Sequence, residues 1–301
     1  MSSVGQAADA ARRRERAGRG GREFLLPFLL LLPAVGIMLA LYGYPFISSI
    51  YRSFLVQGQG ALTLDNYVKV GDLYLRDVFF SIEIAFLSTA LAAVLSITLG
   101  AYVRLAEGRL ARLIGAIYRI PIFIPFVVVA QMMTTFLAPH GLLNVGLAQV
   151  GLVNLDQPME LLNWKGLTFG FVWKQAPFMT LIILSGFEMV DNAYIEAARS
   201  FGARLPQVIL RILVPMSRAS LSVALILAFT STVGTFTLPY MLIGGKTPTT
   251  LTVDIAHRVT YFGDYGVANA LGTVAYVLVL VTAIYYLRYT VKRSVYEAQG
   301  G

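Results

Sequence analysis

Six stretches of this chain are each about twenty residues long and almost wholly apolar, and that pattern restricts the fold more than any single motif. They run roughly Phe24–Ile50, Val78–Val103, Ile120–Ala138, Leu167–Phe187, Ala219–Leu242 and Gly266–Leu287. About 20 apolar residues in a helix cross the roughly 30 Å hydrocarbon core of a bilayer. Inside lipid every backbone N–H and C=O must be paired within the structure, and a helix does this segment by segment. The chain is 57% hydrophobic and 13% charged, whereas soluble domains carry about 25% charge. The expected class is therefore all-α: a polytopic membrane protein with six transmembrane helices. The third and fourth stretches contain polar residues, which makes them the weakest matches to a spanning helix.

Lys and Arg are distributed unevenly about these stretches. Arg12, Arg13, Arg14, Arg16, Arg19 and Arg22 precede the first. Arg104, Arg109, Arg112 and Arg119 lie between the second and third, Arg199, Arg204, Arg211 and Arg218 between the fourth and fifth, and Arg288, Lys292 and Arg293 after the sixth. The alternate loops hold Arg52, Lys69, Arg76, Lys165, Lys246 and Arg258, and Lys174 falls inside the fourth stretch. The positive-inside rule then puts both termini and the loop at 191–218 in the cytoplasm, and the same asymmetry requires an even number of spans. The expected organisation is a basic, disordered cytoplasmic tail at 1–23, a six-helix domain at 24–290 containing the 191–218 loop, and a cytoplasmic tail at 291–301. The apolar run after the basic tail is too long for a signal-peptide core and no A-x-A-like site follows it, so it reads as an uncleaved first span.

Several chemistries find no support. There is no Cys, and the two His residues, His140 and His257, have no ligand spacing. No paired carboxylates or nucleophile–base set suggest an intramembrane enzyme. The net charge of +8 follows membrane orientation and does not point to nucleic acid.

The 191–218 loop reads as two short helices. Asp191 or Asn192 offers a side-chain oxygen to the free N–H groups of the first. Tyr194, Ala197, Ala198 and Phe201 share one face at helical spacing. Gly202 suits a left-handed stop, and Pro206 suits the first turn of the second helix. Leu205, Val208, Ile209, Ile212 and Leu213 give that helix an apolar stripe, and Pro215 breaks or kinks the start of the fifth span. The product is an elbow at the membrane surface, whose paired alanines let another surface approach closely. An interfacial amphipathic helix that merely joins two spans would share these features.

The sequence Glu196-Ala197-Ala198, three residues, Gly202, nine residues, Ile212-Leu213-Val214-Pro215 resembles the coupling loop of the permease subunits of binding-protein-dependent ABC importers of type I. Val214 departs from the usual Leu. Leu32-Pro33, Tyr44-Pro45, Leu62 to Tyr67 and Trp173 to Phe178 also resemble that family, over about 24–290. The resemblance implies a type I importer permease fold that pairs with a second permease subunit of the same or a related chain. Two cytoplasmic ATPase subunits and an extracytoplasmic solute-binding protein would complete the assembly. It implies coupling roles for Glu196, Ala197, Ala198, Gly202 and Pro215. Glu196 would make polar contacts in the ATPase groove, Ala197 and Ala198 would pack closely, and Gly202 would set the bend. The chain carries no complete phosphate-binding loop: Gly245-Lys246-Thr247 matches only its tail, and Tyr240 stands where the leading Gly belongs. No cofactor is therefore expected in this chain, and ATP and Mg would be bound by the partner ATPases.

Charges at membrane depth often mark function. Lys174 and Glu83 are candidates for a solute path or a gating pair; snorkelling, or a structural pair, is the alternative. Gln131, Thr232, Thr235 and Tyr240 add polar groups that either line the path or bond neighbouring helices. The stretch Thr235 to Gly245 resembles polyamine, iron, thiamine and phosphonate permeases, while Thr247 to Thr252 and Phe262 to Gly266 resemble sugar permeases. A secondary transporter driven by an ion gradient, with Glu83 as its proton site, is the rival function and leaves the 196–215 match unexplained.

Overall fold

The computed structural model describes residues 29–299 apart from Gly245 and Thr247, with side chains as far as Ile284. The expected tail at 1–23, the first residues of the first span and residues 300–301 lie outside the described residues. Twelve helices occur among the described residues: α1 (Leu29–Ser53), α2 (Asp65–Leu105), α3 (Arg109–Ile117), α4 (Phe126–Leu137), α5 (Leu142–Gln149), α6 (Trp164–Glu188), α7 (Asn192–Ser200), α8 (Leu205–Met216), α9 (Arg218–Gly234), α10 (Thr237–Ile243), α11 (Leu251–Thr260) and α12 (Tyr265–Gln299). The only β pairing among them is an isolated bridge between Leu55 and Leu62. Among the described residues, five segments are long and apolar enough to cross a membrane, and a sixth arises if α8 and α9, bent by 81° at Ser217, count as one span.

Prolines explain where spans depart from straight helices. The third begins later than Ile120: Ile120–Phe123 forms a 3₁₀ turn and α4 starts at Phe126. Ile124 precedes Pro125 and is extended, with ψ 121°, because a proline ring disfavours helical geometry in the residue before it. The fifth is broken between α9 and α10. Pro239 supplies no N–H, and in a continuous helix its ring would strike the Thr235 carbonyl; Thr235 is extended, with ψ 123°. Two wide π-turns, Leu39–Gly43 and Ile209–Leu213, each stand two residues before a proline, Pro45 and Pro215. Their i→i−5 bonds, Tyr44 N–H to Leu39 O and Val214 N–H to Ile209 O, are the local adjustment that absorbs the ring.

The centre of the fold is the packing of α2 against α6. At about 1.5 Å per residue, the 41 residues of α2 extend about 60 Å, beyond both faces of a bilayer. Ser88, Ala92, Ser96 and Gly100 recur every fourth residue and are all buried, so two backbones can approach closely where lipid offers no hydrophobic drive for association. Ser96 Oγ donates to Ala176 O on α6 at 2.9 Å, and the Phe187 ring packs over Gly100. One core cluster joins this seam to α7, α8 and α9 through Ile195, Val208, Leu213, Leu221 and Ala224. A second gathers α4 and α10 against α6 around Phe171, Met133 and Leu238. A third packs α11 and α12 on the first half of α2 through Val70, Leu251 and Leu271.

Polar fasteners hold the outer elements. Asn66 Nδ2 donates to Ser53 O and Leu55 O at 2.9 and 3.0 Å, so the first turn of α2 takes up carbonyls left over at the end of α1. Ser49 Oγ donates to Asn269 Oδ1 at 2.7 Å, tying α1 to α12.

A Cβ at Gly186 would lie 2.7 Å from both Ser220 Cβ and Oγ and 3.1 Å from Ser217 Cβ, where α6 meets α9. At Gly100 the nearest atoms would be 3.6 Å away. Gly186→Val is therefore expected to destabilise the purified protein by about 1–3 kcal/mol or more, with Gly100→Ala close to wild type, both read by thermal unfolding in detergent.

Candidate functional site

At the α7 end of the fold, α7 and α8 form the elbow. Asp191 Oδ1 accepts from Ala193 N–H at 2.9 Å and caps α7. Gly202 stops that helix with φ +80°, a conformation that costs glycine nothing and strains any other residue. Gln207 Oε1 accepts from Arg204 N–H at 2.8 Å, and Pro206 falls in the first turn of α8.

Burial divides the elbow into two faces. Ile195, Val208 and Leu213 are buried against the α2–α6 seam, and Ala198 is half-buried there. The face with Tyr194, Ala197 and Phe201 points away from the fold: Phe201 is 93% and Tyr194 56% exposed. Glu196, Gly202 and Pro215 are exposed as well. The shared spacing of Tyr194, Ala197, Ala198 and Phe201 thus describes mostly an outward face, and Ile195 anchors the helix inward. Leu205, at the start of the expected stripe of α8, is 56% exposed.

The intramembrane candidates fall in separate places. Lys174 Nζ donates to Pro121 O at 3.0 Å, Ile122 O at 3.3 Å and Ile124 O at 2.5 Å, and lies 5.1 Å from the centre of the Phe126 ring. An ammonium has three donors; all three are taken by carbonyls of the broken stretch before α4, where Pro121 O also accepts from Ile124 N–H. Glu83 is exposed on α2 and is not brought to Lys174, so the candidate pair is not formed: the only ion pair among the described residues joins Arg258 to Asp264. Thr232 is buried, accepts from Gln175 Nε2 and donates to Ala228 O, which puts it in the α6–α9 seam. Thr235 Oγ1 donates to Ser231 O at 2.6 Å. Tyr240 stacks on Phe236 with ring centres 4.9 Å apart and meets His257 edge-on. Gln131 lines a cleft of about 450 Å³ with Thr135, Phe136, Phe169 and Trp173.

One buried polar cluster had no motif to announce it. Asp77 Oδ1 accepts from Thr249 N–H at 2.8 Å and Ser81 Oγ from Leu251 N–H at 2.9 Å. Two residues one turn apart on α2 thus cap α11 from outside. Asp254, in the first turn of α11, is 5% exposed. Burial, and then the neighbouring Asp77 carboxylate, push its pKa up to about 7 against the opposing pull of Arg258. The i, i+4 spacing of Asp77 and Ser81 was the visible signal, but nothing in the sequence names the distant N–H groups they serve.

Asp254 binds its proton more tightly in the folded protein than in the unfolded chain. Its stabilisation is therefore complete below about pH 4 and is lost as pH rises through about 7. The thermal midpoint of the wild type is expected to fall over that window and that of Asp254→Asn to change less. Lys174→Met removes three hydrogen bonds to the carbonyls before α4; it is expected to lower the thermal midpoint while the ranking of transported solutes stays as in the wild type, measured by unfolding and uptake.

Comparison with known proteins places this geometry. The family model "Binding-protein-dependent transport system inner membrane component" matches residues 76–295. The trehalose/maltose transport system permease protein MalF of Thermococcus litoralis is 28% identical over 290 residues, covering 89% of this chain and 94% of that protein. The sulfoquinovosyl glycerol transport system permease protein SmoG of Agrobacterium fabrum is 27% identical, covering 88% and 90%, and the spermidine/putrescine permease PotB of Escherichia coli 24% identical, covering 72% and 81%. A crystal structure of a bacterial ABC transporter that imports alginate superposes with a TM-score of 0.74 at 22% identity, covering 91% of this chain and 99% of that one, and carries the same type I permease fold. With the family model spanning well over half its length, this chain belongs to the binding-protein-dependent transport system inner membrane components, and it is a multi-pass permease subunit of a binding-protein-dependent importer.

Proposed function

We propose that this permease works in an ATP-driven assembly with a second permease subunit and two ATPase subunits that bind ATP and Mg. A binding protein on the opposite side of the membrane delivers the solute. Both termini and the elbow face the cytoplasm, as the arginine distribution requires. The observation that carries the reading is the two-faced elbow. One side, with Ile195, Val208 and Leu213, is locked into the core, while Glu196, Ala197 and Phe201 stand outside it. A buried anchor with an exposed apolar and acidic face receives force from a soluble partner and passes it to the spans. Glu196 supplies charge to that contact, Ala197 and Ala198 allow close approach, and Gly202 and Pro215 fix the bends on either side.

For the solute we propose a small saccharide or related polyol. Two relatives whose names specify trehalose/maltose and sulfoquinovosyl glycerol match along 89% and 88% of this chain, and the polyamine relative along 72%. The cleft at Gln131 offers aromatic and apolar walls with few polar groups, the usual lining of a small-molecule site.

The deciding experiment is ATPase activity of the complex in liposomes with its binding protein, across saccharides and polyamines. A saccharide is expected to stimulate hydrolysis. Glu196→Lys reverses the charge on the docking face, and Gly202→Pro demands a φ near −65° where the chain has +80°; each is expected to reduce stimulation about tenfold with the chain still inserted. Full stimulation in both variants would remove the coupling assignment, and a response to polyamines alone would remove the saccharide.

A further inference from the structure

The elbow is held by more than its chain connections. Arg104, in the last turn of α2, donates from Nε to Phe187 O at 3.1 Å and from Nη2 to Val190 O at 3.0 Å and to Asn192 Oδ1 at 2.5 Å. Phe187 belongs to the last turn of α6, Val190 to the connection that follows, and Asn192 is the first residue of α7. One planar guanidinium therefore joins the end of one long helix, the end of another and the start of the coupling helix. A helix end leaves carbonyls unpaired and carries partial negative charge, so a cation is favoured there. The fork geometry lets arginine serve several acceptors at once, which a lysine ammonium on a flexible stem does poorly. One turn earlier on α2, Gly100 receives the Phe187 ring and Ala101 joins the core that holds Ile195.

We propose that Arg104 is a positioning residue that makes α7 a rigid extension of α2 as well as of α6, so that force on the elbow moves both helices of the central seam together. This rests on the coupling role proposed above. Without Arg104, α7 would remain joined through Met189-Val190-Asp191 to α6 and through Ile195 to the core. Force on its exposed face would then reach α2 only through apolar contact. The expected defect is loose coupling: hydrolysis continues, and less solute crosses for each ATP.

The test measures ATP hydrolysis and solute uptake on the same proteoliposomes for wild type, Arg104→Ala, Arg104→Lys, Asn192→Ala and Glu196→Lys. Arg104→Ala is expected to keep most of the stimulated hydrolysis while uptake per ATP falls about fivefold or more, with partial rescue by Arg104→Lys. Asn192→Ala removes one of the three bonds and is expected to lower the ratio by about twofold; it carries the test if Arg104→Ala does not assemble. A merely structural role would lower hydrolysis and uptake together and leave their ratio unchanged, which overturns the proposal. Because the chain has no Cys, spin labels at Tyr102→Cys and Ala193→Cys report the α2–α7 distance directly. The distribution is expected to broaden in Arg104→Ala, and an unchanged one overturns the proposal. Glu196→Lys separates the two readings. If it abolishes stimulation while the Arg104 ratio is unaltered, only the Arg104 role fails; if it changes nothing, the elbow is not the docking site and both fail.

Discussion

The close approach of α2 and α6 is the contact on which the rest of the structure depends. Lipid gives apolar side chains no reason to leave it for one another, so association of spans rests on packing and on hydrogen bonds between helices. A stripe of Ser88, Ala92, Ser96 and Gly100 meets that need on α2, and Ser96 Oγ adds a bond to the Ala176 carbonyl. The other described elements are arranged about this seam. α9 closes on α6 at Gly186, α4 and α10 pack on α6 around Phe171, and the core of the elbow begins at its end.

Where the backbone leaves the helical ladder, a side chain from another element takes up the loose groups. Lys174 collects the carbonyls before α4, Asn66 those at and after the end of α1, Arg104 those at and after the end of α6, and Asp77 with Ser81 the N–H groups at the start of α11. Each break stands beside a proline or a turn, and each fastener comes from another helix, for Lys174, Arg104, Asp77 and Ser81 one distant in sequence. A buried polar group left without a partner costs free energy comparable to a lost hydrogen bond, so these fasteners are conditions for having broken helices near a membrane at all. The same economy explains why several polar residues inside the spans are engaged internally: Lys174 and Thr232 spend their donors on neighbouring helices and carbonyls.

The elbow combines two requirements that usually conflict. It must be exposed enough for a soluble partner to grip and anchored enough to move the spans when gripped. Ile195 and Arg104 provide the anchor, one by apolar burial and the other by three hydrogen bonds, while the exposed face carries Glu196, Ala197 and Phe201. The bend of 81° between α8 and α9 carries the chain from that platform into the bundle.

The sequence by itself determined the class of fold, the family and the local form of the elbow. Apolar runs of spanning length, Asp191 as a cap, Gly202 as a left-handed stop and Pro206 in a first turn are properties of neighbouring residues, and each has its local conformation in the structure. The pairings were decided only by the tertiary structure. A lone Lys174 beside a lone Glu83 invites an ion pair, yet the break at Pro125 puts three backbone carbonyls within reach of the ammonium. The helical spacing of Tyr194, Ala197 and Phe201 identifies a face but not its direction, which was set by Ile195 fitting the core. Arg104 reads as one more basic residue of a loop until α6 and α7 bring their carbonyls to it. Local conformation follows from short-range sterics and capping, whereas the partner of a buried polar group depends on which distant backbone has lost its own.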